Sequence, residues 1–261
     1  MNVVAITAEY LLAGLLILCI FAAPFIGDPS MLLQSSELWF VVAGIAYLLG
    51  VVADRVAEHI LEPVGSHETL QRVGLLDQKR AVPDDDPLPL DKLTLEVRRR
   101  GQGLLEWHDQ LRGRLRVTRN LVVYGHWAIA AIGVLATTDS GTGALPIVAS
   151  VAIGLQVWSA STINVEKTNE FVATPKHEIA QLRERLANDN RAIWTWWILT
   201  GPVAVGGVLW WYMWQDPSRM VVFWWLAVAS WAASSHAWRR IHRTFISFML
   251  SCLDLESEAK E

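Results

Sequence analysis

Cysteine is nearly missing from this 261-residue chain: Cys19 and Cys252 are the only two. Two thiols exclude a disulfide framework and a cysteine-rich zinc site. Cys19 lies in an apolar run and Cys252 in a polar-flanked tail, so both read as unpaired packing residues. Charge is scarce too. Only 18% of residues are Asp, Glu, Lys or Arg, against about a quarter in soluble domains. The usual catalytic signatures are also missing: there is no GxGxxG after a strand, no GxxxxGK[ST] and no GxSxG. HExxQ occurs twice, at His67 and His177. A zinc protease needs histidine at the last position, so that two imidazoles face one metal a turn apart; Gln71 and Gln181 stand there instead. A metal site built from Glu58, His59, Glu62, His67, His177 and Glu178 competes poorly with ordinary His–Glu pairs on a solvated helix surface. The chain therefore reads more as a non-enzyme than an enzyme, a membrane enzyme being the third reading, with no cofactor and no metal expected.

What the chain does have is apolar residues, 52% of the total, gathered in blocks. Six runs stand out, at 4–26, 38–53, 121–137, 144–163, 193–214 and 220–238. Most approach the roughly 20 residues that cross a bilayer core. None alternates apolar with polar residues, so porin-type strands are excluded and helices are expected. The first run has no basic residue before it and a poor cleavage site in "FAAPF", which favours a retained helix over a signal peptide.

Charge orients these helices. Of the 22 Lys and Arg, 12 lie in 54–120, five in 164–192 and four after Trp238, leaving Arg219 alone on the other side. Basic residues stay with the cytoplasm. The expected fold is an all-α integral membrane protein of a bacterial-type inner membrane. Six helices form three hairpins, with both termini inside. The hairpins take up 1–53, 120–163 and 193–238; cytoplasmic segments are expected at 54–119, 164–192 and 239–261.

Eight of the 14 tryptophans fall between Arg191 and Trp225. Trp196 and Trp211 are 15 residues apart, or about 22 Å along a helix. That separation suits the two interfacial zones that indole prefers. Trp224 and Trp225 then open the sixth helix outside and Trp238 closes it inside. Trp231, midway along, reads as a packing residue.

The segments between the runs carry their own signals. "AVPDDDPLPLD" at 81–91 reads as a linker. From Arg98 to Arg119 seven arginines face only Glu106 and Asp109. Leu104, Trp107, Leu111 and Leu115 repeat at helical spacing, while Arg112, Arg116 and Arg119 share another face. This predicts a basic amphipathic helix feeding the third membrane helix, though Gly101, Gly103 and Gly113 weaken it. Its arginines suit anionic lipid or another anionic ligand. Nucleic acid is not expected, because no aromatic platform accompanies them. Thr174 and Pro175 open a further helix. In the tail Ile241, Phe245, Phe248 and Cys252 form one stripe, which predicts an interfacial or partner-binding helix. A shift of 110 residues places His67, Glu68 and Gln71 on His177, Glu178 and Gln181, which suggests that the first two hairpins are copies.

Polar residues inside the runs are few: Glu9, His126, Gln156 and His236, with Asp54 and Ser159, Ser161 and Thr162 at similar depth. Such groups are costly in lipid and usually face a partner or water. They predict a shared polar cluster or the inner vestibule of a pathway, against simple snorkelling near helix ends. Small residues recur four apart at Ala46–Gly50, Ser150–Gly154, Ala229–Ala233–Ala237 and Ser230–Ser234. These faces pack helices, either within the bundle or between copies. Gly201-Pro202 and Gly206-Gly207 are expected to kink the fifth helix. The expected function is an oligomeric channel, pore or transporter-like protein in which His126 and Gln156 line the path. The rival is a non-transporting scaffold that recruits partners through its loop and tail. In both, membrane lipids and further membrane subunits are the partners.

Overall fold

The computed structural model describes residues 3–21, 36–77, 102–137, 144–173, 203–212, 214 and 217–258. Every regular element among them is helical. The helices are α1 (Val3–Phe21), α2 (Ser36–Asp77), α3 (Gln102–Asn120), a π segment (Leu121–Gly125), α4 (His126–Thr137), α5 (Ala144–Ala173), α6 (Ala204–Tyr212) and α7 (Pro217–Glu258). Three are long and apolar enough to cross a membrane, over Leu38–Leu61, Leu145–Thr162 and Pro217–Phe248; Ile6–Phe21 is a shorter apolar helix. These helices are compatible with a membrane protein. The first half of the fifth run, with Trp194, Trp196 and Trp197, lies outside the described residues. So do the 81–91 linker, Gly201-Pro202, the Thr174-Pro175 helix start and the His177 motif.

The expected junction between the basic helix and the third run is real. α3, the π segment and α4 follow one another without a break from Gln102 to Thr137. The tail differs from expectation. It is no separate helix, because α7 runs unbroken for 42 residues, about 63 Å. Pro217 opens it at the first helical position, where its missing N–H costs nothing.

The helices are packed inside out. In α2 the buried stripe is Ala46, Gly50, Ala53, Asp54, Ala57 and Ile60, whereas Val41, Ile45, Leu48 and Val52 face outward. In α5 the buried stripe is Ala149, Ala152, Gln156 and Ala160, and Ile147, Val151, Leu155 and Trp158 face outward. A soluble helix does the reverse. Small residues inside let backbones approach, and large apolar residues outside suit a lipid surrounding. The shift of 110 carries buried Ala46 and Gly50 onto buried Gln156 and Ala160, and exposed Ile45 and Leu48 onto exposed Leu155 and Trp158.

α1 lies against α2, and two glycines make that possible. A Cβ on Gly14 would overlap the Ala46 carbonyl, and one on Gly50 would overlap the Tyr10 carbonyl. The π segment and α4 occupy the centre, touching α1, α6 and α7. Val122, Val123, Tyr124, Trp127, Ala130 and Val134 are buried there. The Ser230–Ser234 line also turns inward: Ser234 is buried, and Ser230 lies beside Gly125. By contrast Ser150, Gly154, Ala229 and Ala233 are exposed. Trp210, Trp211, Trp214 and Trp225 are exposed as interfacial indoles would be. Trp238 is not. It is buried and stacked on the ring of His242 at 5.1 Å, so it belongs to the core and not to a belt. Trp231 packs against the core, as read from its mid-helix position.

The glycine contacts give a test. Gly14→Ala or Gly50→Ala must push α1 and α2 apart, because the atoms in the way are backbone. Each should destabilise the detergent-solubilised protein by about 1–3 kcal/mol in thermal melts. Gly154→Ala, with open space around its Cβ position, should melt like the parent.

Candidate functional site

The main polar feature lies where α1, α2 and α3 meet. Asp54 and Glu58 are four residues apart and share one face of α2. Arg116, Arg119 and Asn120 share one face of α3, and Glu9 and Tyr10 come from α1. Asp54 is only 2% exposed. A buried carboxylate must be matched by a cation and hydrogen bonds, or it is strongly unfavourable. Arg119 supplies a two-pronged match. Its Nε donates to Oδ1 of Asp54 at 2.8 Å, and one terminal nitrogen donates to Oδ2 at 2.6 Å. The other terminal nitrogen donates to Glu58 at 2.9 Å. Nδ2 of Asn120 donates to Oδ1 of Asp54 at 3.0 Å and to the Arg116 carbonyl at 2.9 Å. Fork geometry of this kind combines strength with orientation.

The network extends outward at both ends. Arg55 reaches Glu58 at 2.9 Å on the surface. Arg116 contacts Glu9 at 3.5 Å and approaches Asp54 at 4.0 Å, while its guanidinium lies 5.7 Å from the centre of the Tyr10 ring. The Glu9 carboxylate rests over Gly113, where any Cβ would overlap it. Below the ions, the Tyr124 hydroxyl donates to the Ala53 carbonyl at 3.0 Å. Three carboxylates thus face three guanidiniums. Burial alone would lower the pKa of Arg119. Hydrogen bonds to Asp54 and its charge, then those of Glu58, outweigh burial and hold the guanidinium above its ordinary value.

These positions revise the expectations for α3. Arg116 and Arg119 are not presented to lipid or to an outside anion. Both are largely buried, and their anions are the chain's own Asp54, Glu58 and Glu9. Arg112 alone of the three is exposed. The four polar residues of the apolar runs do not gather either. Glu9 joins the ion network. His236 is exposed on α7. Gln156 is buried on α5. His126 is 1% exposed, directly after the π segment, with its ring 5.7 Å from that of Trp127. Neither of its ring nitrogens has a hydrogen-bond partner, so none joins it to Gln156. The Val122 backbone one turn back offers at most a marginal contact.

Ser161 and Thr162 of the fourth run are satisfied locally. Ser161 donates to the Val157 carbonyl at 2.9 Å, and Thr162 donates to the Ser159 carbonyl at 2.8 Å. The Ser161 oxygen is then free to accept from Nε2 of His59 at 2.8 Å, which ties α5 to α2. His59 and Glu58 are thereby engaged with other partners, and no cluster of metal-ligating side chains occurs among the described residues. Sequence reasoning had Asp54 at the right depth and the arginines on the right face. It missed their pairing, as well as Asn120, Tyr10 and Tyr124. The usable signal was a carboxylate pair four apart at the end of one apolar run and arginines three apart at the start of another.

Breaking the fork on one side leaves an uncompensated buried charge. Asp54→Ala should therefore cost about 3–5 kcal/mol of stability, read by thermal or denaturant melting in detergent. Adding Arg119→Met to that variant should recover a large part of the loss. Arg55→Gln, at the solvent-exposed end, should change stability by less than about 1 kcal/mol. Equal losses from Asp54→Ala and Arg55→Gln would overturn the assignment of Asp54 as the centre of the network.

No known family model, curated protein or solved structure matches this chain.

Proposed function

We propose that the chain is a polytopic protein of a bacterial-type inner membrane that forms an oligomeric channel, pore or transporter-like path for ions or small solutes. Six helices cross as three hairpins with both termini in the cytoplasm. The 21-to-one partition of Lys and Arg supports that orientation. Membrane lipids surround the outward Val, Ile, Leu and Trp residues. Copies of the chain meet through small-residue lines left exposed, such as Ser150–Gly154 and Ala229–Ala233.

His126 is the observation that carries the transport reading. An imidazole buried in an apolar helix without hydrogen bonds is costly. A passive anchor gains nothing by keeping it. It also directly follows a π segment, a local irregularity that tends to accompany function. Gln156, the one polar side chain in the buried stripe of α5, is the second polar group assigned to the path. The ion network serves differently: its charges cancel, so it holds helices and does not conduct.

A second reading is a non-transporting scaffold or assembly subunit. One observation favours it. α2 continues to Asp77, beyond the apolar stretch that ends at Leu61, and α5 continues to Ala173, beyond Thr162. Helical extensions of that kind offer surfaces to soluble partners.

Ion flux and single-channel current from the purified protein in liposomes decide between them. The expected result is a current in the parent that changes in His126→Ala and in Gln156→Ala. A silent bilayer, with protein shown to be folded and oriented, would remove the path. Partner capture through the 54–120 segment would then support the scaffold.

A further inference from the structure

The surroundings of His126 bear on which solute the path carries. The ring is buried, and so are Tyr124 before it and Trp127 after it. The π segment and α4, which hold these residues, are touched by α1 and α7, and α4 also by α6. The chain is closed around the imidazole on these sides.

The chemistry at this level narrows the choice of solute. A metal cation leaves water only for a set of oxygen ligands that replaces its hydration shell. The buried residues of the π segment and α4 supply hydrocarbon and indole instead: Val122, Val123, Trp127, Ala130 and Val134. Asp54, Glu58 and Glu9 are matched by arginines, and no cluster of metal-ligating side chains occurs among the described residues. An anion would need a cation to meet it, and Arg116 and Arg119 are engaged by those same carboxylates. A proton needs neither. It travels as a bond to nitrogen, and the hydration shell is given up as that bond forms.

The imidazole suits such a passenger. Neutral imidazole has one N–H and one bare nitrogen, so it accepts at one position and releases from the other. A fixed hydrogen bond at either nitrogen would lock the tautomer, and neither nitrogen of His126 makes one. Trp127 and Trp231 also bury an indole nitrogen without a partner, but an indole N–H only donates. The π segment adds a means of movement. It lies directly before His126, while α3 on its other side is held to α2 by the Arg119–Asp54 fork. Its return to α geometry would turn His126 by about 100° relative to α3.

We propose that the solute of the path is the proton and that His126 carries it. A proton from water on one side bonds to the bare nitrogen and makes an imidazolium. The N–H at the other nitrogen then breaks, and its proton passes to water on the opposite side. One proton enters and one leaves. The ring is neutral again with its N–H moved to the other nitrogen, and a turn of the ring restores the start. This proposal rests on the transport reading above and names its solute.

The purified full chain is reconstituted in liposomes. Proton flux is read with an entrapped pH dye, and K+, Na+ and Cl− are followed as tracers in separate vesicles. The parent is compared with His126→Gln, which keeps a polar side chain but carries no proton, and with His126→Ala. Thermal melts check that each is folded. The expected result is proton flux in the parent, slower in D2O, without passage of the other ions. It should fall on the order of a hundredfold in both variants. Should neither variant melt cooperatively, the selectivity of the parent for protons decides. Undiminished proton flux in His126→Gln would overturn the assignment of His126, and a parent that passes K+, Na+ or Cl− but no protons would overturn the choice of solute while keeping the path. Passage of none of them by folded, oriented protein would remove the path and this proposal together.

Discussion

The bidentate pair of Arg119 with Asp54 constrains everything around it. Aspartate has a single methylene, so its carboxylate stays close to the α2 backbone. For the guanidinium to meet it squarely, α3 must approach at a fixed height and rotation. Glu58, Asn120 and Arg116 then fall into reach in one way only, because each is tied to the same two helices. α1 is drawn in by Glu9 on Arg116. Its backbone can come that close because Gly14 and Gly50 leave room at the crossing with α2. Charge pairing and small-residue packing therefore support one geometry. Neither would hold it alone, since an incomplete buried ion pair destabilises and small residues permit contact without directing it.

The π segment follows from the same constraint. Arg116, Arg119 and Asn120 must face α1 and α2, whereas the next turns must be buried on nearly every side. A π segment takes up one extra residue, which turns the helix by about 100° relative to a continuous α-helix. The shift begins at Leu121, immediately after Asn120. It separates a polar, directional stretch from the apolar centre formed by Val122, Val123, Tyr124 and Trp127. His126 emerges at the end of this segment, in the apolar part. Its polarity is out of place there by the rules that explain its neighbours. The ion network's charges cancel within the protein, whereas neither nitrogen of this imidazole is hydrogen-bonded.

Much of the architecture was legible because its signals are local. Apolar blocks marked the helices long and apolar enough to cross a membrane, over Leu38–Leu61, Leu145–Thr162 and Pro217–Phe248. The helical repeat of Leu104, Trp107, Leu111 and Leu115 gave α3 and its junction with the third run. Partners were not legible. Arg119 pairs with residues 65 and 61 positions away, and Arg116 with one 107 positions away. Periodicity tells which residues share a face but not what that face meets. An arginine stripe therefore looked like a lipid contact when it was a core contact. Trp238 failed for a similar reason: an indole at a span end can point to the interface or to the core, and the chain alone carries no rotation. The small-residue lines divided evenly on this point, Ala46–Gly50 and Ser230–Ser234 inside, Ser150–Gly154 and Ala229–Ala233 outside. The end of α7 was misplaced because composition changes at Arg239, although the backbone does not.

The two arginine sets show how context decides the role of a residue type. Arg116 and Arg119 meet α2 at its buried carboxylate, Asp54, and they become part of the core. Arg240 and Arg243 sit on a helix with no acid between Pro217 and Leu253, anchored by its aromatic face to α3. Among the described residues around Asp54 the carboxylates and cations enter the interior together. Among the described residues His126 departs from this rule: it lies inside with neither ring nitrogen hydrogen-bonded.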